Sequence, residues 1–253
     1  MSDVKASMPE NYRPAGDTLQ GRVIAITGAG DGIGRIAAKT FAAYGATVIL
    51  LGRTIQKLEM VYDEIEQAGH PQPAIFPINL EGACEKDYED MCQAFFDEFG
   101  RLDGLLHNAG DLGERTPIAN YAADTWQRVM QVNVNAPFMI TKALLPLLEK
   151  SSDARILFTG SSVGYQGRAY WGAYAASKAA QENLMQTLAQ ELEDVVPVGV
   201  NSINPGATRT QMRAAAYPAE NPADVKSAEE LMPLYLYLLG PDSKGISGKQ
   251  FSF

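Results

Sequence analysis

A glycine-rich segment near the N-terminus constrains the fold of this 253-residue chain more than any other feature. The segment 27–34 reads T-G-A-G-D-G-I-G, follows the apolar run 23–26 and precedes a helix-like stretch, 35–41. A strand that passes through glycines into a helix leaves unpaired N–H groups at the helix N-terminus, where a phosphate can bind. Glycine is needed because a Cβ would hold the phosphate away from the backbone. We therefore expect a phosphate-binding turn made of Thr27, Gly28, Gly30, Asp31, Gly32, Ile33 and Gly34.

The spacing of these glycines departs from the dinucleotide fingerprint G-x-G-x-x-G, because they fall at every second position from 28 to 34. By itself the segment also fits a glycine-rich turn that binds no ligand. The choice between a phosphate-binding turn and a turn without a ligand therefore depends on motifs elsewhere in the chain.

Short apolar runs alternate with longer helical patterns from Arg22 to the end of the chain. Several runs are almost continuously apolar, which is typical of parallel strands covered on both faces. The order predicts one α/β domain over residues 1–253, with a doubly wound, Rossmann-type parallel sheet of about seven strands and helices on both faces. The predicted strands are 23–27, 47–51, 74–78, 104–107, 156–159, 198–203 and 250–253. The predicted helices are 33–44, 54–67, 86–99, 125–148, 173–193 and 228–239.

Helix ends and the N-terminal segment are also predictable. Gly45, Gly69 and Gly100 fall just past predicted helices, where a left-handed residue belongs, and Asp124 suits an N-cap before residue 125. Residues 1–20 are polar and contain two prolines. They have no apolar region of the kind found in signal peptides or membrane spans, so we interpret them as a loosely ordered leader before the first strand.

Composition excludes several classes of function. A net charge of −9 argues against a general binder of nucleic acid or anionic membranes. Cys84 and Cys92 do not form a C-x-x-C pair, and the two histidines, His70 and His107, are far apart. Disulfide and metal sites are therefore not expected, and the predicted location is cytoplasmic.

A tyrosine and a lysine one helical turn apart form the second strong feature. Tyr174 and Lys178 occupy positions i and i+4, so their side chains share one helix face. A lysine ammonium favours the phenolate and lowers a pKa that starts near about 10, which makes tyrosine a candidate general acid or base. Without support, the pair also fits an ordinary exposed helix pair.

Support comes from three other segments that follow predicted strands. Residues 107–110 read H-N-A-G, residues 161–164 read S-S-V-G and residues 204–210 read N-P-G-A-T-R-T. Since the carboxyl ends of parallel strands meet at one edge of a sheet, we expect these small, hydrogen-bonding residues around one crevice.

With these motifs the chain resembles the classical short-chain dehydrogenase/reductase family from Arg22 onward, most closely a group of uncharacterised bacterial oxidoreductases within it. The family's glycine motif corresponds to Thr27, Gly28, Gly32 and Gly34. The resemblance implies hydride transfer between a nicotinamide cofactor and a small carbonyl or alcohol substrate. It implies a catalytic set of Asn133, Ser161, Tyr174 and Lys178. Ser161 is preferred to Ser162 because it lies thirteen residues before Tyr174, which is the family spacing.

The resemblance also implies a role for each of these residues. Tyr174 exchanges a proton with the substrate oxygen, Ser161 holds that oxygen, and Lys178 lowers the tyrosine pKa and binds the nicotinamide ribose. Asn133 holds a water in the proton relay. The remaining cofactor contacts implied by the resemblance are Asn108, Ala109, Gly110, Pro205, Gly206, Thr208 and Thr210, together with Tyr174 and Lys178.

Each of these assignments has a plainer alternative. Asn133 can bend or bridge a helix, and Ser161 can cap a turn. His107 stands where the family has asparagine, and we interpret it as a structural histidine rather than a catalytic one. Asn79 and Leu80 stand where the family usually has an aspartate near the adenine, which indicates a different adenine contact.

The end of the second strand bears on the choice of cofactor. An NAD enzyme places an acid there to bind the ribose 2′-OH, whereas this chain has Gly52-Arg53. Arginine offers a planar fork to a 2′-phosphate, so NADP is favoured over NAD. Arg35 is a candidate second contact, and Asp31 inside the glycine turn argues the other way. The alternative for Arg53 is a solvated arginine at a helix start.

Three hypotheses about function remain open from the sequence. The leading one is an NADP(H)-dependent oxidoreductase; the others are a non-catalytic dinucleotide-binding sensor or scaffold and a lyase or epimerase of the same fold. The resemblance also implies a homodimer or homotetramer. Candidate substrate-pocket segments are 111–116, 166–171 and 211–217.

Overall fold

Eight parallel strands form one sheet in the computed structural model, which describes residues 4–253. The strand order is β1-β8-β7-β6-β5-β2-β3-β4, so the connection changes direction between β2 and β5. In a doubly wound sheet the crevice at this reversal, outside the carboxyl ends of the strands, is where ligands bind. The strands are β1 (Lys5–Ala6), β2 (Val23–Thr27), β3 (Thr47–Gly52), β4 (Ala74–Pro77), β5 (Gly104–His107), β6 (Ala154–Thr159), β7 (Val198–Asn204) and β8 (Gln250–Ser252).

Helices cover both faces of the sheet, as predicted. One apolar core packs α1, α2 and α9 on one face, and a second packs α3, α5 and α7 on the other. The strands between these layers are buried along most of their length; residues 48–51 of β3 have no exposed surface. The helices are α1 (Gly32–Ala43), α2 (Ile55–Gln67), α3 (Glu85–Phe99), α4 (Ala123–Met130), α5 (Ala136–Leu148), α6 (Ser162–Tyr165), α7 (Gly172–Leu192), α8 (Gln211–Ala216) and α9 (Met232–Leu239).

The N-terminal segment is more ordered than the sequence indicated. Lys5 and Ala6 form β1 at the sheet edge beside β8, so the sheet has eight strands, and the segment before Val23 contains a strand that was not predicted. Two contacts explain the order: the Gln250 N–H donates to the Val4 carbonyl, and the Tyr12 ring packs edge-on against Tyr237 at 5.0 Å. Residues 1–3 of the predicted leader lie outside the described residues.

The predicted helix 125–148 is interrupted in its middle. It consists of α4, a π turn over Gln131–Asn135 and α5, with Ala136 N–H bonded to the Gln131 carbonyl. Pro137 explains the interruption because it has no N–H to give the carbonyl of Asn133, four residues earlier. Single π turns of this kind often occur at functional sites.

Other helix ends differ in detail from the prediction. The N-cap of α4 is Ala122, so the prediction of Asp124 as N-cap is wrong; its carboxylate instead accepts from the Thr125 N–H at 2.6 Å within the first turn. The predicted helix 228–239 starts as a 3₁₀ turn, Glu229–Leu231, before α9. Gly45, Gly69 and Gly100 have positive φ angles, as expected of residues just past a helix.

Candidate active site

A cleft of about 720 Å³ opens at the carboxyl ends of the central strands, a size typical of small-molecule sites. Nearly all of the sequence-predicted site residues line it, whereas Gly34 and Asn133 do not. The predicted residues that line the cleft are Thr27, Gly28, Gly30, Asp31, Gly32, Ile33, Arg53, Asn79, Leu80, Asn108, Ala109, Gly110, Ser161, Tyr174, Lys178, Pro205, Gly206, Thr208 and Thr210.

The glycine turn is held by close packing against the end of β5. The Thr27 hydroxyl accepts from the N–H groups of Asn108 and Ala109, at 2.9 and 3.0 Å. Gly28 has φ +68°, and a Cβ there would lie 3.1 Å from the Cα of Ala109. A Cβ on Gly34 would overlap the Gly28 carbonyl. Gly34 therefore lets α1 begin directly against the turn, although it does not face the cleft.

Asp31 caps the helix that starts in this turn. Its carboxylate accepts from the Gly32 N–H at 2.7 Å and forms an ion pair with Lys57 of α2. The hydrogen bond from Lys57 is the largest cause that lowers the pKa of Asp31, with the Gly32 N–H adding to it. The negative charge of Asp31, which disfavours a phosphate at this end of the cleft, is thus compensated by the ammonium of Lys57.

Two basic side chains stand at the end of β3. Arg53 is exposed and has no acidic partner among residues 4–253. Lys57 lies four residues later, one turn into α2, and its Cβ would be 2.9 Å from a Cβ on Gly30. Lys57 was not predicted from the sequence, because its place beside the glycine turn depends on how α2 packs against Gly30. Arg35 pairs with Glu64 and lies outside the cleft, so it is not the second contact that was considered.

Ser161, Tyr174 and Lys178 meet on the opposite side of the cleft. A side-chain hydrogen bond joins Ser161 to Tyr174, and the Lys178 Nζ lies 5.6 Å from the centre of the Tyr174 ring. The same ammonium donates to the Thr159 carbonyl at 2.7 Å and to Gln181 Oε1 at 3.0 Å. Ser162 is exposed and does not line the cleft.

Burial dominates the titration of this pair. It raises the pKa of Tyr174 to about 12, against the hydrogen bond from Ser161, and it lowers the pKa of Lys178 to about 8. The net shift of the tyrosine pKa is therefore upward, against the lowering expected from the sequence, because loss of solvation disfavours the phenolate. The opposing influence on Lys178 is the carboxylate of Glu182.

His107 is a structural residue, the interpretation favoured from the sequence. Its Nε2 lies 2.8 Å from the Thr141 hydroxyl, and its ring stacks on Phe158 with centres 4.6 Å apart. Burial lowers its pKa to about 3, so the ring is neutral at physiological pH. The side chain does not line the cleft.

Asn133 is fully buried beneath the cleft, in the π turn between α4 and α5. Its Oδ1 accepts from the Asp111 N–H at 2.7 Å. Its Nδ2 donates to the Asp111 carbonyl and to the Ser177 hydroxyl, both at 2.9 Å. Both amide hydrogens are therefore used to join the segment after β5 to α7.

The end of the cleft that contains Trp171 is largely apolar. Only parts of the three predicted segments reach it: residues 166–170 lie outside, and Tyr170 is exposed. Arg115 lies over the rings of Trp171 and Tyr217, with its guanidinium carbon 5.0 and 4.8 Å from their centres. The side chains that line this end are Leu112, Trp171, Met212, Ala215 and Ala216, beside Asp111, Gln211 and Arg213.

A doubly wound parallel sheet with a glycine turn at a helix N-terminus is the architecture of dinucleotide-binding folds. The chain belongs to the short chain dehydrogenase family, whose sequence profile matches residues 22–221. It is 51% identical over 241 residues to the uncharacterized oxidoreductase YciK of Escherichia coli K12, with 95% of each chain covered.

Solved structures agree with this assignment. A Pseudomonas syringae protein assigned to the short chain dehydrogenases is 56% identical, with a TM-score of 0.94 over 96% of this chain and 98% of that one. A short chain dehydrogenase from Shigella flexneri, solved in complex with NADP, is 50% identical, with a TM-score of 0.92 over 94% of this chain and 99% of that one. None of the helices within residues 4–253 is both long and apolar enough to cross a membrane.

Proposed function

We propose that this protein is an NADP(H)-dependent oxidoreductase that interconverts a carbonyl and an alcohol. One observation carries the proposal: the Ser161-Tyr174-Lys178 group and the glycine turn line the same cleft. A protein that only bound a dinucleotide would not need a hydrogen-bonded Ser-Tyr pair beside a buried lysine. The complex of the Shigella flexneri relative with NADP supports the choice of cofactor.

The cradle beside the glycine turn suits a dinucleotide. Gly28, Gly30 and Gly32 leave the backbone open at the N-terminus of α1, where N–H groups and the helix dipole favour a pyrophosphate. Pro205, Gly206, Thr208 and Thr210 line the same cleft and would hold the nicotinamide. Asn79 and Leu80 also line the cleft and would contact the adenine. The bound nicotinamide supplies or accepts the hydride.

Tyr174 is proposed to move the proton at the substrate oxygen. In the direction of carbonyl reduction, the tyrosine hydroxyl donates its proton to the oxygen, and the Ser161 hydroxyl holds the same oxygen by a hydrogen bond. Tyr174 holds its proton at neutral pH, so it is in the form from which a proton can be donated. Lys178 stabilises the phenolate that remains after transfer.

Asn133 is proposed to support this relay from the π turn. Because both amide hydrogens bind protein groups, a water that Asn133 holds would donate to one of its oxygen atoms. We assign that water to the backbone carbonyl, because Pro137 cannot donate to this group.

Preference for NADP(H) is proposed to rest on Arg53 and Lys57. Arg53 follows β3, where an NAD enzyme would carry an acid, and has no competing acidic partner among the described residues. Lys57 lies four residues after Arg53. Its ion-pair partner Asp31 has an exposed side chain, so Lys57 can leave this pair to contact a phosphate. Two cations at this point favour a 2′-phosphate over a 2′-hydroxyl.

A panel of carbonyl compounds with NADPH, and of alcohols with NADP⁺, tests this function by the change in nicotinamide absorbance. We expect turnover of at least one pair in both directions. Tight NADPH binding without turnover of any member would instead favour the non-catalytic dinucleotide-binding alternative. Substrate conversion without net change in absorbance would favour a lyase or epimerase.

We also propose a homodimer as the smallest assembly. Phe138 on α5 and Trp126 on α4 are exposed apolar side chains on neighbouring helices, and exposed apolar patches of this kind mark interaction surfaces. Light scattering at micromolar concentration should give twice the chain mass or more. A monomer would contradict the proposal.

A further inference from the structure

A buried carboxylate lies one helical turn beyond Lys178 on the face of α7 that carries the catalytic pair. Glu182 follows Lys178 at i+4, just as Lys178 follows Tyr174, so the three side chains form one row along the helix. Glu182 is 4% exposed and Lys178 is 2% exposed. Buried carboxylates are rare unless they are paired or hydrogen-bonded, so its presence requires a physical reason.

Three donors from three different elements fix this carboxylate. The Tyr165 hydroxyl of α6 donates to Oε1 at 3.0 Å, while Ser202 of β7 and Gln250 of β8 donate to Oε2 at 2.7 and 3.0 Å. All three groups act as donors, which is the arrangement that an ionised carboxylate needs. Burial raises the pKa of Glu182, and these three donors, together with the charge of Lys178, oppose the rise by favouring the ionised form.

The same carboxylate lies directly under the loop that carries Ser161. A Cβ on Gly160 would overlap Glu182 Oε1, so the residue before Ser161 has to be glycine for the two to pack. On the other side of this loop, Lys178 Nζ donates to the Thr159 carbonyl. Glu182 and Lys178, which lie one turn apart on α7, thus both contact the segment 159–161.

Lys178 needs an opposite charge, because both of its hydrogen-bond acceptors are neutral. They are the Thr159 carbonyl and the Gln181 side-chain oxygen. The other titratable groups that face it are Tyr174 on its own helix, His107 on β5 and, through Glu182, Tyr165 on α6. None of these is an anion at neutral pH, so Glu182 is the source of compensating charge among the described residues.

We propose that Glu182 is a positioning residue of the active site, whose carboxylate keeps Lys178 protonated and fixes the Ser161 loop against α7. This inference rests on the proposed function only for its consequence in catalysis. The charge relation between Glu182 and Lys178 is a property of the protein itself.

The direct test is the pKa of Lys178, measured by NMR on protein with ¹³C-labelled lysine side chains and assigned with Lys178→Met. Glu182→Gln keeps the shape of the side chain and removes its charge. We expect it to lower the pKa of Lys178 by about one unit or more. Glu182→Asp should restore most of that difference. Glu191→Gln, on an exposed position of the same helix, is the matched control and should leave the Lys178 pKa unchanged.

An unchanged Lys178 pKa in a folded Glu182→Gln protein would overturn the proposal, even if thermal stability falls. If that variant does not fold, the wild type remains informative: its Lys178 signal should move at acidic pH, where Glu182 takes up a proton. Absence of this step would also overturn it. Neither readout needs a substrate, so failure of the proposed enzymatic function would be seen separately, in the carbonyl panel.

Discussion

The side-chain amide of Asn133 donates to the Ser177 hydroxyl at 2.9 Å, and that hydroxyl donates onward to the Tyr174 carbonyl at 2.8 Å. The π turn is therefore joined to the first turns of the helix that carries Tyr174 and Lys178. Through its two bonds to Asp111, the same amide also fixes the segment that follows β5. Asn133 is therefore a buried residue that links the segment after β5 to α7.

Replacing Asn133 should destabilise the protein. Asn133→Ala leaves the Asp111 N–H and carbonyl without these partners at a part-buried position, so we expect the free energy of unfolding to fall by about 1–3 kcal/mol. Asn135→Ala is the matched control, because Asn135 lies in the same π turn but is exposed, and among residues 4–253 its side chain bonds to Gln131 alone. Its effect should stay within about 0.5 kcal/mol. Urea unfolding measures both, and equal effects would contradict the role given to Asn133.

The two cations at the end of β3 should control cofactor preference. Arg53→Ala and Lys57→Ala should each weaken NADPH binding by about one to two decades, because each removes a charge-assisted contact worth roughly 1.5–3 kcal/mol. NADH binding should barely change. Arg35→Ala is the matched control, since Arg35 is paired with Glu64 and lies outside the cleft. Calorimetric titration measures the affinities for NADPH and NADH. Equal affinity for the two cofactors in the wild type would contradict the proposed preference for NADP(H).

Stability should depend on pH through Lys178. Burial lowers its pKa from 10.5 to about 8, so the folded protein loses this proton at lower pH than the unfolded chain does. The resulting destabilisation is complete below pH 8 and disappears as pH rises through 10.5. Relative to Lys178→Met, which has no such group, the wild type should gain up to about 3 kcal/mol between pH 7 and 11. A difference that stays constant with pH would show that the lysine pKa is not lowered.

Most of the fold could be predicted from the sequence because parallel strands and their helices leave strong local patterns. The apolar run of β3 and the glycines after α1, α2 and α3 are examples, since burial on both faces and positive φ are decided by a few adjacent residues. The short edge strand β1 could not be predicted. Its order comes from pairing with β8, about 245 residues away along the chain, and two residues carry no periodicity.

The candidate site, like the fold, could be predicted only in part from the sequence. The positions of Tyr174 and Ser161 follow from strand ends and helix spacing, but the direction of the tyrosine pKa does not, because it depends on how completely the fold removes water. Lys57 and Glu182 were missed because their roles depend on the close approach of Gly30 and Gly160, respectively. Pro137 was visible in the sequence, yet the π turn that it accompanies belongs to an otherwise continuous helical pattern.

Tyr174 is proposed to transfer the proton at the substrate oxygen. Tyr174→Phe keeps the ring that packs beside Trp171 and removes the hydroxyl. Tyr170→Phe is the matched control, because Tyr170 is exposed and lies outside the cleft. Both variants should bind NADPH as the wild type does, which fluorescence titration checks before any rate is compared.

The decisive measurement is kcat of Tyr174→Phe for a carbonyl substrate found in the panel, with NADPH saturating. Removing a general acid costs about 10²–10⁴-fold in rate, so we predict a kcat lower by that factor while Tyr170→Phe stays at the wild-type value. A Tyr174→Phe enzyme that binds NADPH normally and keeps more than about a tenth of wild-type kcat would contradict the account.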